Sequence, residues 1–492
     1  NDALRINGAD VRARVIGEGA NLGCTQAGRI EFALQGASGA GGRGNADFID
    51  NSAGVDCSDN EVNIKIALAA AKRAGRLTED ERVDLLAAMT DEVAALVLED
   101  NRLQALALSI AEAGGASATA AHLRLVEALE ASGQLDRRTE GLAENEALLR
   151  RASDGRGLTR PELAVLLSSA KLALQDALER SDVVDDPGLA ADLLAAFPSP
   201  MRERFEPEIL GHRLRREIVA TKLANRMVNR LGLIHPFELA EEEGATLAQV
   251  AAAFVAVERL FGMQAVWQAL EATAMPESAR VLLFERAAAA MTDHMADVLR
   301  AGAGSVAASR LVADLGPDVA ALADGTATLL AAEARAQSAR MLARFSAAGA
   351  PEAEAAMVTR LFDLDGSVGL ARLAREAGVA PQAVTQGFTD LGARLGLDWA
   401  QMTAARMSPS DPWERLLING LARDFQQMRL DFLRRAMGAG NDPAAAVARW
   451  ADEHALAVAQ FRKVVARAQA AAPVAPAMLA QIASQARNLL GR

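Results

Sequence analysis

Residues 11–21 read VRARVIGEGAN, a short β-branched run that leads directly into a glycine-rich polar turn. Residues 46–54 read ADFIDNSAG, a second short apolar run that ends in a similar turn. These patterns predict strands over residues 11–16 and 46–50, with a helix near residues 25–34 between them and another from about Ser58. Alternating strands and helices are typical of a parallel sheet, which binds ligands at the carboxyl ends of its strands.

Beyond about residue 66 the sequence predicts helices only. Thr78 with Glu81, and Thr159 with Glu162, have the spacing of capping boxes that begin helices. Asp411 followed by Pro412 predicts a third helix start, ahead of apolar residues spaced by three and four: Leu417, Leu421, Phe425, Met428 and Phe432. Turn-forming residues 185–188 suggest a break between segments. We therefore predict three segments, 1–65, 66–185 and 186–492.

Composition restricts the class of protein. The 492 residues are 51% apolar and 24% charged, which is typical of folded globular chains, and only 4% are aromatic, which favours helices over β-sandwiches. A formal charge of -12 argues against broad binding to nucleic acid or to an anionic membrane. The two cysteines suit a reducing cytoplasm, and the five scattered histidines predict no metal site.

The two turns are the candidate binding residues. Asn21 and Asn51 each follow a predicted strand, where a dinucleotide lies in a doubly wound sheet. An asparagine amide offers one acceptor and two donors, which matches a ribose hydroxyl or a carboxamide. Asparagine is also common in turns for purely local reasons, and from the residues alone this local explanation of the two side chains is favoured.

Longer strings resemble the large NAD-specific glutamate dehydrogenases of bacteria. They are residues 17–26 (GEGANLGCTQ), 28–31 (GRIE), 50–59 (DNSAGVDCSD), 61–65 (EVNIK), 158–166 (LTRPELAVL), 212–221 (HRLRREIVAT), 411–417 (DPWERLL) and 424–430 (DFQQMRL). The strings cover essentially the whole chain in order. The resemblance implies a mostly α fold, in which the carboxyl-terminal edge of a Rossmann-like α/β dinucleotide-binding domain (1–65) precedes a large all-helical domain.

The same resemblance implies an activity, oxidative deamination of L-glutamate to 2-oxoglutarate and ammonium with reduction of NAD. The residues that it implies for NAD are Gly19, Ala20, Asn21 and Asn51. It places Ser58 at the distal carboxylate of the substrate and Val55 in the substrate pocket. A helix N-cap is the alternative reading of Ser58.

The family's catalytic lysine and aspartate belong to a region before residue 1, so we expect no catalytic residue in this segment. By resemblance the chain is the carboxyl-terminal portion of the enzyme, inactive alone, whose partners are the upstream part of the same polypeptide and further copies in a homo-oligomer. The competing class is a noncatalytic helical interaction or regulatory module.

Overall fold

The computed structural model describes residues 6–19, 23–300, 302, 306–407, 409, 412–437 and 442–491. The chain divides into two compact units, Asn1–Phe254 with Ala307–Ser309, and Val255–Val306 with Arg310–Arg492. The predicted segments 1–65, 66–185 and 186–492 were defined by their expected roles, whereas the compact units are defined by contacts. The units therefore do not test the segments, which stay a prediction. The fold is mostly helical, as predicted.

The first unit contains the following helices: α1 (Gln26–Gln35), α2 (Asp47–Asp50), α3 (Ser52–Arg73), α4 (Glu79–Ala113), α5 (Thr119–Ala131), α6 (Asn145–Ser153), α7 (Arg160–Glu179), α8 (Ala190–Ala195), α9 (Ser199–Arg204), α10 (Glu206–Leu210), α11 (Arg215–Leu231) and α12 (His235–Glu243). Helix α7 is its centre and packs against α1, α4, α5 and α11. Most of α7 is buried, which agrees with a sequence that is apolar on nearly every side. Short 3-10 turns lie at Gly8–Asp10, Gly115–Ala118, Asp182–Asp185 and Pro187–Leu189.

The second unit begins within α13 (Leu247–Leu260) and contains α14 (Met263–Ala272), α15 (Glu277–Arg300), α16 (Ala308–Leu329), α17 (Ala332–Ala347), α18 (Glu352–Asp363), α19 (Ser367–Ala377), α20 (Pro381–Leu395), α21 (Leu397–Arg406), α22 (Pro412–Met437), α23 (Pro443–Glu453), α24 (Ala455–Gln469) and α25 (Pro476–Leu490). Helix α22 is its centre and packs against five of these helices.

The apolar stripe predicted for α22 is mostly confirmed. Leu421, Phe425, Met428 and Phe432 are buried, whereas Leu417 is 42% exposed in the first turns. The predicted cap Asp411 lies outside the described residues.

The two predicted capping boxes are both present. Thr78 begins α4 and Thr159 begins α7, and in each the glutamate three residues later accepts from the backbone N–H of the threonine. The two boxes differ in burial, since Glu81 is solvent-exposed and Glu162 is fully buried. The same local motif therefore has two very different surroundings.

The two predicted strands are wrong for the described residues. Residues 46–50 form α2 instead, because the Ala46 carbonyl accepts from the N–H groups of Ile49 and Asp50, each at 3.0 Å. A strand also needs an extended neighbour along its length. The nearest extended segment instead makes a single parallel bridge between Val15 and Arg43. The part of the chain that the structure describes thus has no strand of a Rossmann-like sheet.

The glycine-rich segment 36–44 folds over one aromatic side chain. Phe32 of α1 is 4% exposed and lies under this segment. A Cβ atom on Gly42 would overlap the Phe32 ring, so glycine is required there for the close approach. The segment then returns to pair Arg43 with residues 14–16. This packing fixes the wall of the cavity described below.

Among the described residues, no single helix has the length and hydropathy needed to span a membrane. One bent pair of helices, α13 with α14, meets that test by length and composition alone.

Candidate functional site

A cavity of about 440 Å³ lies at the amino-terminal end of α1. Glycines contribute much of its wall, at Gly23, Gly28 and Gly44, and they leave backbone accessible to a ligand. The polar groups at its surface include Glu18, Arg29, Asn45 and Asp50. Cavities of this size with a few convergent polar groups are the usual form of small-molecule sites.

One hydrogen bond joins the first turn to the residue that directly precedes the second turn. The Glu18 backbone N–H, in the first turn, donates to Asp50 Oδ2 at 2.9 Å. Asn45 Nδ2 donates to the other oxygen of the same carboxylate at 2.7 Å. Asp50 directly precedes Asn51, so the first turn is tied to the residue next to a predicted NAD contact.

A buried ion-pair network supports the first turn. Arg29 Nε donates to Glu18 Oε2 at 2.7 Å, and Arg29 Nη2 donates to Asp47 Oδ1 at 2.8 Å. The side chains of Arg29 and Glu18 are only 12% and 10% exposed. The Cys24 N–H donates to the second oxygen of Glu18 at 2.9 Å, so both ends of the turn meet at this carboxylate.

The electrostatics of the turn follow from this network. Burial by itself would raise the pKa of Glu18, but the hydrogen bonds from Arg29 and the Cys24 N–H outweigh it, and the pKa lies below its ordinary value. Burial, and then the Glu18 charge, raise the pKa of the neighbouring Cys24 thiol. The thiol is therefore kept neutral, which agrees with a small filler at the cavity wall more than with a nucleophile.

The site rests on the start of α7. Arg160 Nε donates to Asn45 Oδ1 at 2.9 Å, and its Nη1 donates to Glu112 Oε2 at 3.0 Å. Gln26 Nε2 in α1 donates to the Pro161 carbonyl at 3.1 Å. Helix α7 thus supports both α1 and the segment before α2, through contacts between residues more than 100 positions apart in sequence.

The predicted site residues of the second turn lie on α3. Asn51 is at the N-cap position, and Val55 and Ser58 follow at spacings of four and three, so all three share one helix face. Val55 is 59% exposed and Ser58 is also exposed. The prediction that the helix begins near Ser58 is wrong, since it begins at Ser52, and Ser58 is therefore not an N-cap.

The predicted residues of the first turn are only partly described. Gly19 is described and exposed, whereas Ala20 and Asn21 lie outside the described residues. The roles of Gly19, Ala20, Asn21, Asn51, Val55 and Ser58 stay predictions.

Sequence reasoning missed the residues that hold the two turns. Asn101 Nδ2 in α4 donates to the Ile49 carbonyl and to Ser52 Oγ, both at 2.8 Å, and so fixes the start of α3. Arg29 and Arg160 lie within strings 28–31 and 158–166, but sequence reasoning assigned neither of them a role. None of these contacts follows a helix or strand period, so no local signal could have identified them.

Helix α11 carries basic residues that the sequence left without a clear role. Lys222 pairs with Asp100 at 2.7 Å, Arg226 pairs with Asp192, and Arg215 pairs with Asp185 at 3.0 Å. These acidic partners lie on α4, on α8 and in the turn before α8. The basic face thus joins neighbouring helices of the same unit. Among the residues that the structure describes, no three His, Cys, Asp or Glu side chains form a group that could hold a metal ion.

Comparison with known proteins gives consistent matches along the chain. Residues 1–111 match the family profile described as "Bacterial NAD-glutamate dehydrogenase, catalytic domain", and residues 155–488 match "Glutamate dehydrogenase, C-terminal". Three similar proteins are each named NAD-specific glutamate dehydrogenase. That of Halomonas elongata is 37% identical over 92% of this chain and 28% of its own length. That of Pseudomonas aeruginosa is 36% identical over 98% of this chain and 30% of its own length.

The third relative, from Mycobacterium tuberculosis, is 44% identical over 56% of this chain and 17% of its own length. The chain therefore spans less than a third of the length of the curated relatives that it matches.

Proposed function

This chain belongs to the bacterial NAD-glutamate dehydrogenase family, and from that premise we propose that it is part of an enzyme that oxidises L-glutamate to 2-oxoglutarate and ammonium. Bound NAD supplies the hydride acceptor. The relatives are longer than this match, and the proposed catalytic lysine and aspartate come from the remainder of such a polypeptide.

The observation that carries the proposal is the hydrogen bond between the Glu18 N–H and Asp50. It joins the first turn to the end of α2 beside a glycine-lined cavity, where backbone and carboxylate groups can meet a ribose. The chemistry of the wall supports this proposal, because carboxylate and amide oxygens accept from ribose hydroxyls. Residues 1–65 would then contribute the edge of the NAD-binding domain.

The exposed face of α3 is the proposed substrate wall. Asn51, next to the cavity, would hold the nicotinamide carboxamide, while Val55 and Ser58 face outward one and two turns further along. A serine hydroxyl can donate to the distal carboxylate of glutamate. This order along one helix places substrate and cofactor side by side, as a short hydride path requires.

The test compares Asn51→Ala and Ser58→Ala in the full-length dehydrogenase, with glutamate-dependent NAD reduction as the assay. We expect Asn51→Ala to weaken NAD binding by up to about tenfold, since a neutral hydrogen bond contributes about 0.5–1.5 kcal/mol. We expect Ser58→Ala to raise the KM for glutamate about tenfold or more, since a hydrogen bond to a charged carboxylate contributes about 1.5–3 kcal/mol. The matched control is Cys57→Ala, an exposed neighbour that points about 100° away around the helix. Wild-type behaviour of both variants in folded protein would favour the noncatalytic module instead.

We also propose that the helical remainder is noncatalytic, supports the catalytic region and builds a homo-oligomer. The contacts of α7 with Asn45 and α1 support the first of these roles. Deleting residues 150–492 from the full-length protein is expected to lower the number of subunits per particle, obtained by dividing the light-scattering mass by the mass of the shortened chain. An unchanged oligomer would contradict the proposal.

A further inference from the structure

A second cavity, of about 120 Å³, lies within the second compact unit. Helices α16 to α22 form its wall, which includes the apolar side chains of Leu330, Phe388 and Met402. An engineered cavity of about 150 Å³ binds benzene, so this one has room for an organic molecule of about six non-hydrogen atoms. A more open groove of about 410 Å³ adjoins the cavity, because the two share wall residues that include Glu333 and Asp398.

Arg429 brings a positive charge to this wall, but that charge is already used within the protein. Its side chain is 1% exposed, and its Nη1 donates to Asp398 Oδ1 at 2.6 Å. Nε donates to the Phe425 carbonyl at 3.1 Å, and Nη2 donates to Gln401 Oε1. The guanidinium also lies 3.8 Å from the centre of the Phe388 ring. Each of its three nitrogens is therefore engaged, and Asp398 balances its charge.

Three further carboxylates line the same cavity, those of Glu333, Asp363 and Asp365. Asp363 accepts a hydrogen bond from the Ser338 hydroxyl. Within the described ranges, none of the three carboxylates forms an ion pair with a Lys, Arg or His side chain. Enclosed negative charge is unfavourable without a positive partner, so the cavity lacks a cation.

Asp365 reaches the cavity from the turn between α18 and α19. Gly366 follows it with a φ of 81°, a left-handed conformation that favours glycine. Protein surrounds Asp365, yet the residue remains exposed, as expected at the wall of a cavity. Burial, and then the charges of Asp297 and Asp293, raise the pKa of Asp365 well above its ordinary value, and two nearby arginines do not offset the rise. A bound cation would supply the missing charge and lower this pKa.

Ser367 provides an independent observation at the same wall. It is the first residue of α19, lines the cavity and is only 3% exposed. Its Oγ is buried and has no hydrogen-bond partner in the part of the chain that the structure describes. Buried hydroxyl groups in native proteins nearly always have a partner, so a bound molecule is the expected partner of this one.

The chemistry of the wall distinguishes between classes of ligand. The three carboxylates would repel an anion. A metal ion is also disfavoured, because no three carboxylates among the described residues form a group that could hold one. A protonated amine offers three N–H donors and stays charged at neutral pH, and an alkyl chain attached to it can pack on the apolar part of the wall.

We propose that the second cavity is a binding site for a small aliphatic ammonium ion. The amino group donates to the Asp365 carboxylate and to Ser367 Oγ, and the alkyl chain packs against Leu330 and Phe388. This site is separate from the proposed NAD and glutamate residues, which belong to the first compact unit. Glutamate itself does not fit, because its two carboxylates would meet the carboxylates of the wall.

The test titrates the full-length protein with 1,4-diaminobutane, which has six non-hydrogen atoms, by isothermal titration calorimetry at neutral pH. We expect a Kd below about 1 mM for the wild type. Asp365→Asn and Ser367→Ala should each weaken binding about tenfold or more, because each removes a hydrogen bond to a charged group. Asp324→Asn is the matched control and should bind as the wild type does, because Asp324 is an acid of α16 that is 90% exposed and does not line the cavity.

A neutral ligand of the same length separates charge from shape. We expect 1,4-butanediol to bind about tenfold or more weakly than the diamine, since it lacks the positive charge. Both variants should fold, because asparagine keeps the shape of aspartate and alanine removes a hydroxyl that has no partner. Absence of diamine binding to the wild type, or equal affinity of the wild type and Asp365→Asn, would overturn the proposal. Equal binding of the diol and the diamine would also overturn it.

Discussion

Replacing Glu162 by alanine is expected to lower the free energy of opening of the α6–α7 region by about 3–5 kcal/mol, as for other broken buried ion pairs. Glu162 accepts from Arg151 through two bonds, at 2.9 Å and 2.7 Å, and from the Thr159 N–H at 2.7 Å. Its side chain is 1% exposed and that of Arg151 is 15% exposed. The substitution would leave the Arg151 guanidinium and the Thr159 N–H group without their hydrogen-bond acceptor.

Glu81→Ala is the matched control for this effect. Glu81 completes the same motif at the start of α4 and accepts from the Thr78 N–H at 2.8 Å, but water can replace it at the surface. Its substitution should therefore have a much smaller effect. Hydrogen exchange of peptides from α4, α6 and α7 in the full-length protein measures both changes. Equal protection losses in the two variants would contradict the role given to Arg151.

The two capping boxes show what local sequence can and cannot predict. The Thr-x-x-Glu spacing was sufficient to place the starts of α4 and α7. The same spacing says nothing of burial, nor of an arginine eleven residues earlier that reaches back to Glu162. Motif spacing reports backbone geometry within one turn, whereas the stability of the motif depends on neighbours that only the fold supplies.

The failed strand over residues 46–50 has a related cause. Phe48 and Ile49 form an apolar pair with an aspartate on each side. A segment this short fits a strand as well as a helical turn when only the spacing of its apolar residues is considered. The Asp50 carboxylate decides between them, because it accepts from Glu18 and Asn45 and so holds the end of α2 in place. Ser52 and Gly54 are also residue types that favour turns. They instead lie in the first turn of α3, where Ser52 Oγ accepts a hydrogen bond from Asn101.

The proximity of the two segments was predicted, but for a reason that the structure does not support. The sequence placed two polar turns at the ends of neighbouring strands, whereas the described residues form no such strands and a hydrogen bond joins Glu18 to Asp50 of α2. Asn51 was selected by its position after a predicted strand, whereas Val55 and Ser58 were named by resemblance alone. The supporting contacts of Arg160 and Asn101 span 115 and 52 residues, so they lie beyond any local pattern.

Arg29→Met is expected to weaken NAD binding at least tenfold in the full-length dehydrogenase, which corresponds to about 1.4 kcal/mol or more. Methionine keeps much of the side-chain length but removes the cation between Glu18 and Asp47. The two half-buried carboxylates would then repel each other, and the turn that contains Gly19 would lose the anchor of Glu18. Isothermal titration calorimetry with NAD measures the change in affinity.

The pH dependence separates an electrostatic role for Arg29 from simple packing. In the wild type the pKa of Glu18 is lowered, so the stabilisation from its pairing is complete above the ordinary carboxyl pKa and is lost as the pH falls through the lowered value. Without Arg29 the pKa of Glu18 should rise, and the loss of NAD affinity should begin at higher pH. Arg43→Met, at an exposed arginine of the same region, should leave both affinity and pH dependence unchanged. Equal effects of the two substitutions would mean that bulk positive charge, and not the Glu18–Arg29–Asp47 network, governs binding at this turn.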